Sequence, residues 1–454
     1  MSEKRETWSG RVGFILATVG SAVGLGSIWK FPYEVGANGG SAFVLFYLAG
    51  LIAIVVPLMF AEFAIGRSGR GDPVTSIAVV AAAHGASRSW AIAGALGVAT
   101  GFVILSFYSV IGGWTIGHAA EAAFAGLAGS DPDAVRLRYQ LFLSSPWRML
   151  GYHALFMASA AAIVARGIGG GIEAAAKIMM PILTVLMVAL AAYAAIEGDL
   201  AATLRFLFKL DPNSVSARAA LDALGLGFFS IGVGLGLMIT YAAYGGQDID
   251  LKQVAIASVL ADTGISLLAG FAVFPIVFAH GLDPAGGPGL VFVTLPLAFA
   301  QMPFGRLTAS AFYVLLFVAA LASAISMLEL VVAMLVRRLR WRRAVAAWIA
   351  AAACFGAGIP TLLSFNLWSG WFPLSGIEGF EHATVFDLLD YLTSNILLPV
   401  GGFAIALFAG WAIRDSVLTE ELRLGRLSAV ALRFTLRYIA PIGIALTALA
   451  PLWI

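Results

Sequence analysis

The sequence predicts an all-α polytopic membrane protein of eleven spans, arranged as two inverted five-helix repeats with an eleventh helix appended. Three observations predict it. Of 454 residues, 61% are hydrophobic and 11% charged, with a mean hydropathy of +0.94, whereas about a quarter of a soluble domain is charged. Apolar stretches of about 20 residues, enough to cross hydrocarbon, recur along the chain. Two of them are interrupted by glycine, at Gly20-Ser-Ala-Val-Gly-Leu-Gly-Ser27 and Phe228-Phe-Ser-Ile-Gly-Val-Gly-Leu-Gly236. Glycine is the poorest helix former after proline, and unwound backbone at membrane depth is tolerated only where protein buries it or a cavity needs it. Paired breaks in corresponding segments point to a binding site near the bilayer midplane.

The spans fall near 10–37, 41–68, 89–127, 150–165, 174–197, 221–244, 251–279, 304–338, 342–363, 384–413 and 428–453. The first repeat covers about 10–197, the second about 221–413, and the extra helix about 428–453, all in one transmembrane domain. An odd number of spans puts the termini on opposite sides. Basic residues orient them: Lys4, Arg5, Arg11, Arg67, Arg70, Arg88, Arg166, the run Arg337-Arg338-Leu-Arg340-Trp-Arg342-Arg343, Arg414, Arg423 and Arg426 fall on the side of the N-terminus. Asp131, Asp133, Glu197, Asp199, Asp283, Glu378, Glu381 and Asp387 fall opposite, diluted by Arg136, Arg138 and Arg148. The expected orientation is therefore N-terminus cytoplasmic and C-terminus periplasmic or extracellular. The polar start leads into a segment too long and too glycine-broken for a cleaved signal peptide. Between spans seven and eight, 280–296 combines turn residues with a short apolar stretch, read either as an outer lid or as a surface loop with an interfacial helix.

Several function classes are excluded. A formal net charge of +2 implies no nucleic-acid partner. The single cysteine, Cys354, cannot form an intrachain disulfide. None of the five histidines stands in a metal-ligand spacing and no serine sits in a nucleophile elbow, so no enzyme is expected. A helix break offers free amides to an anion and free carbonyls to a cation, so one site can hold a carboxylate and an alkali ion together. Ser21, Ser27 and Ser230 beside the two breaks are short oxygen donors suited to complete an ion's shell.

The chain resembles the neurotransmitter:sodium symporter family. The resemblance runs through Trp8-Ser-Gly-Arg-Val-Gly-Phe-Ile-Leu-Ala, Gly24-Leu-Gly-Ser-Ile-Trp-Lys-Phe-Pro-Tyr33, Asn38-Gly-Gly-Ser-Ala-Phe43 and Pro57-Leu-Met-Phe-Ala-Glu-Phe-Ala-Ile-Gly-Arg67. It resumes at Phe228-Phe229, Ile239-Thr-Tyr-Ala-Ala-Tyr244 and Gly287-Pro-Gly-Leu-Val-Phe292. Eleven spans resemble a bacterial subgroup that lacks the usual twelfth helix and includes carriers of hydrophobic amino acids. The resemblance implies the leucine-transporter fold, location in a bacterial inner membrane in contact with lipid, and sodium-driven import by alternating access.

It also implies site residues. A first sodium site maps onto Ala22, Ser27, Ser230 and Asp262, with Ser27 and Asp262 where asparagine is common. An acid inside the membrane is costly and marks function by default. The chloride site of animal relatives maps onto Tyr47, Leu226, Ser230 and Ser266; leucine at 226 removes an amide donor, so chloride independence is expected, with Asp262 supplying the charge. A second sodium site maps onto Gly20, Val23, Ala319 and Ser323, with Ala322 in place of the usual second side-chain oxygen. One or two sodium ions and no organic cofactor are expected. The substrate would meet Ala22, Gly24, Leu25, Gly26, Ile104, Tyr108, Phe229, Ser230, Gly232, Leu235 and Met327. Gly24 stands where monoamine carriers place an aspartate, which favours an amino acid, and the room around Gly232 favours a branched or aromatic hydrophobic L-amino acid. Lys30 and Asp390 match an outer gate, and Arg5 and Trp8 an inner one. The usual acidic partner of Arg5 falls on Arg337, so Glu329, with Tyr244 nearby, is the expected replacement. A proton-driven carrier of the same fold, with Asp262 titrating, is the alternative; monomer and dimer both fit the sequence.

Overall fold

The computed structural model describes residues 6–126, 131–285 and 289–449. Its first span, α1, is a bent pair, Arg11–Ala22 and Gly26–Ala37, meeting at 50°. Among the described residues, eight unbroken helices are long and apolar enough to cross a membrane. They are α2 (Ser41–Gly69), α3 (Arg88–Ala125), α5 (Ile168–Glu197), α7 (Leu251–Ala279), α8 (Gly305–Leu339), α9 (Arg343–Ser364), α10 (Val385–Ala412) and α11 (Arg426–Leu449). The 19-residue helix Pro146–Val164 (α4) and a second broken pair, Ala217–Ile231 and Leu237–Ala243 (α6), lie where the other two spans are expected. The chain is an all-helical multi-pass membrane protein of the leucine-transporter fold.

Local chemistry explains where helices begin. The Asp250 carboxylate accepts from the amides of Lys252 and Gln253 and starts α7, and Ser216 caps α6 through the Ala219 amide. Thr384 and Asp387 form a reciprocal capping box at the head of α10. Helix α4 starts four residues earlier than expected because Pro146 occupies its first turn, where a missing N–H costs nothing. Short helices Pro73–Ala83, Pro132–Leu143, Leu200–Phe208 and Asp415–Leu422 lie in segments read as connections. Asp72, Asp131 and Asp199 cap the first three.

Burial grades across the bundle. In α8 the most apolar window is 89% buried, against 33% in α11, so α8 is the hub and α11 a lipid-facing edge. Helix α8 packs on α3, α4, α5 and α9, while both halves of α1 pack against α7 and α8. In the 280–296 segment, residues 286–288 lie outside the described ones. The helix Leu290–Gln301 follows, with Leu290, Phe292 and Leu295 buried. Residues 450–453 of the expected last span also lie outside them.

Candidate functional site

The two breaks face each other. In α1 the first half ends at Ala22, with Val23 extended, and the second half restarts at Gly26. In α6 the interruption is Gly232 to Gly236, where Gly232, Gly234 and Gly236 have φ of 71°, 91° and 79°. A left-handed backbone costs an ordinary residue roughly 1–2 kcal/mol, which explains three glycines at alternate positions. The freed Gly234 amide donates to the buried Glu62 carboxylate of α2 at 2.6 Å. At Gly24 the reason for glycine is space: a Cβ there would lie 2.3 Å from Ser323 Oγ and 2.9 Å from Tyr108 Oη.

Between the breaks lies a small cavity of about 30 Å³. All eleven residues expected to meet the substrate line it: Ala22, Gly24, Leu25, Gly26, Ile104, Tyr108, Phe229, Ser230, Gly232, Leu235 and Met327. Ser21, Leu237, Ser323 and Leu398 line it as well. The Leu25 amide donates to Tyr108 Oη at 3.2 Å. With its oxygen accepting there, the Tyr108 hydroxyl keeps its proton to donate to a ligand. The cavity is thus apolar along Ile104, Leu235 and Met327 and polar at the α1 break.

Behind Ser230, which lines the cavity, lies a buried acid. Asp262 of α7 accepts from Ser27 Oγ at 2.5 Å, from Ser230 Oγ at 2.9 and 3.1 Å, and from Tyr47 Oη at 3.0 Å. Ser27 and Ser230 are also 3.0 Å apart. A hydroxyl that donates to a carboxylate turns its lone pairs outward, so two serine oxygens and a carboxylate share one small polar cluster. Leu226 is buried on the same half of α6, and Ser266 Oγ is a buried atom without a hydrogen-bond partner. On the opposite side of α1, Ser323 Oγ donates to the carbonyls of Ser21 and Val23 at 3.2 and 3.4 Å. Gly20 and Ala319 are buried on those two helices, and a Cβ on Gly20 would meet Ala322 and Met180.

The cavity is bracketed along the bundle axis. On one side Lys30 Nζ lies 3.8 Å from Asp390 Oδ2 and 4.8 Å from the centre of the Phe229 ring. On the side of the N-terminus, the Trp8 indole donates to the Tyr241 carbonyl at 2.9 Å and its ring meets Phe14, Tyr241 and Tyr244. Arg5 lies outside the described residues. Glu329 accepts from Tyr244 Oη at 2.8 Å and pairs with Arg343, which also binds Glu6 at 2.7 Å and the Val164 carbonyl at 2.9 Å. Arg337 lies near Asp72, 4.0 Å away, and donates to the Arg70 carbonyl.

Sequence reasoning missed Glu62, Arg343 and Glu6. Arg343 was absorbed into a basic run that reads as a topology signal, and nothing local marks it as the partner of an acid fourteen positions upstream. Glu62 had a signal: it is an acid inside an apolar span.

The chain is similar to known proteins along nearly its whole length. A sequence profile described as the Sodium:neurotransmitter symporter family matches residues 5–128 and 146–381. The uncharacterized sodium-dependent transporter YhdH of Bacillus subtilis is 36% identical over 450 residues, spanning 98% of this chain and 97% of that one. A sodium-dependent transporter of Methanocaldococcus jannaschii, MJ1319, is 33% identical over 96% of this chain and 87% of its own length. The crystal structure of MhsT in complex with L-phenylalanine superposes with a TM-score of 0.90 at 40% identity, covering 98% of this chain and all of that one. The chain belongs to the sodium:neurotransmitter symporter family, as a sodium-dependent transporter and not an enzyme.

Proposed function

We propose that the chain is a symporter that uses sodium to import branched or aromatic hydrophobic L-amino acids by alternating access, without chloride, through a bacterial inner membrane with its N-terminus in the cytoplasm. The observation that carries this is the cavity between the two breaks, polar where α1 restarts and apolar along Ile104, Leu235 and Met327. The Tyr108 hydroxyl, held by the Leu25 amide, and the Gly26 backbone amide would take a carboxylate. With Gly24 in place of an acid, nothing on that wall is built to receive a ligand cation. MhsT, bound to L-phenylalanine in its crystal structure, supports an aromatic substrate.

Sodium is co-substrate in this reading. Ser27, Ser230 and Asp262, with the Ala22 carbonyl and the substrate carboxylate, offer the hard oxygens of a first ion site. Asp262 stands among Tyr47 and Ser230, where its fixed charge would do the work of a bound anion. Gly20, Val23, Ala319 and Ser323 would form a second site, thin in side-chain oxygen because Ala322 supplies none.

Uptake of labelled phenylalanine, leucine and valine into proteoliposomes tests this, with sodium and chloride replaced in turn. Full uptake without sodium overturns the reading; uptake driven by a pH gradient alone favours the proton-coupled alternative; loss of uptake without chloride removes the role given to Asp262.

A further inference from the structure

The start of α5 carries a carboxylate that none of the proposed sites uses. Glu173 is 1% exposed, yet it is bound across the bundle to the residues that lead into α1. The Ser9 amide donates to Glu173 Oε2 at 2.8 Å, and the Ser9 hydroxyl donates to Oε1. Lys177, one turn along α5, places Nζ 2.6 Å from Glu173 Oε1 and 3.2 Å from Ser9 Oγ, so the acid is neutralised where it lies. The approach is made by glycine: a Cβ on Gly13 would sit 2.0 Å from Glu173 Oε1 and 2.3 Å from its carboxyl carbon. A carboxylate over the first turn of α1 also meets the positive end of the helix dipole.

Ser9 is next to Trp8, whose ring closes the N-terminal face against Tyr241. Behind Tyr241, its hydroxyl bonds Ser326 Oγ at 2.7 Å, and Ser326 is 1% exposed. Whatever holds Ser9 therefore holds the plug over Ser326.

We infer that Glu173 is a positioning residue of the inner gate: a carboxylate clasp from α5 to Ser9, admitted by Gly13, that must let go before Trp8 can leave the N-terminal face. The inference rests on the alternating-access reading proposed above. The clasp is separate from the Glu329, Arg343 and Glu6 cluster, which ties the same face to α8 and α9.

The test places a reporter, Ser326→Cys, on a Cys354→Ala background in the full chain and measures its reaction with a charged thiol reagent, with and without sodium and phenylalanine. Glu173→Gln keeps the shape and removes the charge; Gly13→Ala attacks the same contact from α1. Each is expected to speed labelling in sodium at least about tenfold, the factor that loss of one charge-assisted hydrogen bond gives. The double variant should be no faster than the faster single one, because both break one contact. Wild-type labelling rates in both single variants, while sodium still slows labelling, overturn the clasp. If sodium slows labelling in none of these proteins, the alternating-access reading falls and takes the gating role with it.

Discussion

Replacing Asp262 by asparagine removes one charge and almost no volume, so it isolates what the charge does. Three hydroxyls donate to this carboxylate: Ser27 at 2.5 Å, Ser230 at 2.9 and 3.1 Å, and Tyr47 at 3.0 Å. A hydrogen bond to a charged group contributes about 1.5–3 kcal/mol, against about 0.5–1.5 for a neutral one. Losing the charge thus weakens each by roughly 1 kcal/mol. A sodium ion held by Ser27 and Ser230 would lose more, since two unit charges about 4 Å apart attract by about 4 kcal/mol at an effective dielectric of about 20. Relaxation and water reduce this, and about 2 kcal/mol, or roughly thirtyfold, is the expected net loss. In chloride-free proteoliposomes the sodium concentration for half-maximal phenylalanine uptake should rise about thirtyfold in Asp262→Asn. Added chloride should recover a large part of it in the variant and nothing in the parent. An unchanged sodium requirement without chloride would refute the assignment of Asp262 as the site's fixed anion.

Three further outcomes follow from the geometry. Gly24→Ala should abolish phenylalanine binding in a scintillation proximity assay while leaving the melting temperature near that of the parent, since its Cβ would meet Ser323 Oγ and Tyr108 Oη, two side-chain ends that can shift into the cavity. Asp390→Asn should raise KM for uptake only a few-fold, because the Lys30 pair is long at 3.8 Å and 35% exposed on the acid side, where ion pairs contribute at most about 1 kcal/mol. Glu62→Ala should lower stability by about 1–3 kcal/mol by leaving the buried Gly234 amide without an acceptor; an unchanged thermal midpoint in detergent would remove Glu62 as the support of the α6 break.

The sequence made the spans and both breaks legible because each rests on a one-dimensional signal: a run of apolar residues longer than a helix core needs, or glycine where none belongs. Register against a known family then placed the cavity lining from α1, α3, α6 and α8, which no periodicity could bring together. What stayed hidden is of two kinds. Short helices such as Pro73–Ala83 and Leu200–Phe208 depend on single caps, Asp72 and Asp199, set in segments too short to carry a periodic pattern. Long-range polar pairs are invisible for a deeper reason. Glu173 meets Ser9 across 164 positions, and Gly13, which permits the contact, reads locally as one more poor helix former.

The partners of Glu329 suggest how the N-terminal face opens. Glu329 on α8 is fully buried and paired with Arg343 at the head of α9, itself only 15% exposed. Parting two such charges would leave one unpaired in a buried site, at about 3–5 kcal/mol. Tyr244 at the end of α6 and Glu6 ahead of α1 bind the same pair from the other side, at 2.8 and 2.7 Å, and Glu6 is 39% exposed. An opening that keeps Glu329 and Arg343 together and breaks only these outer contacts costs far less. The outer contacts and the inner pair should therefore behave oppositely. Tyr244→Phe, which removes a hydrogen bond to a carboxylate, should favour the open N-terminal face at least about tenfold, and Glu6→Gln, at a half-exposed contact, about two- to tenfold with little loss of stability. Glu329→Gln should lower the melting temperature, because it strands Arg343. Thiol accessibility at the N-terminal face and thermal unfolding, measured on the same three variants, separate the cases. If Glu329→Gln opens the face with an unchanged melting temperature, then Glu329 and Arg343 part during the cycle and the pair is itself the gate.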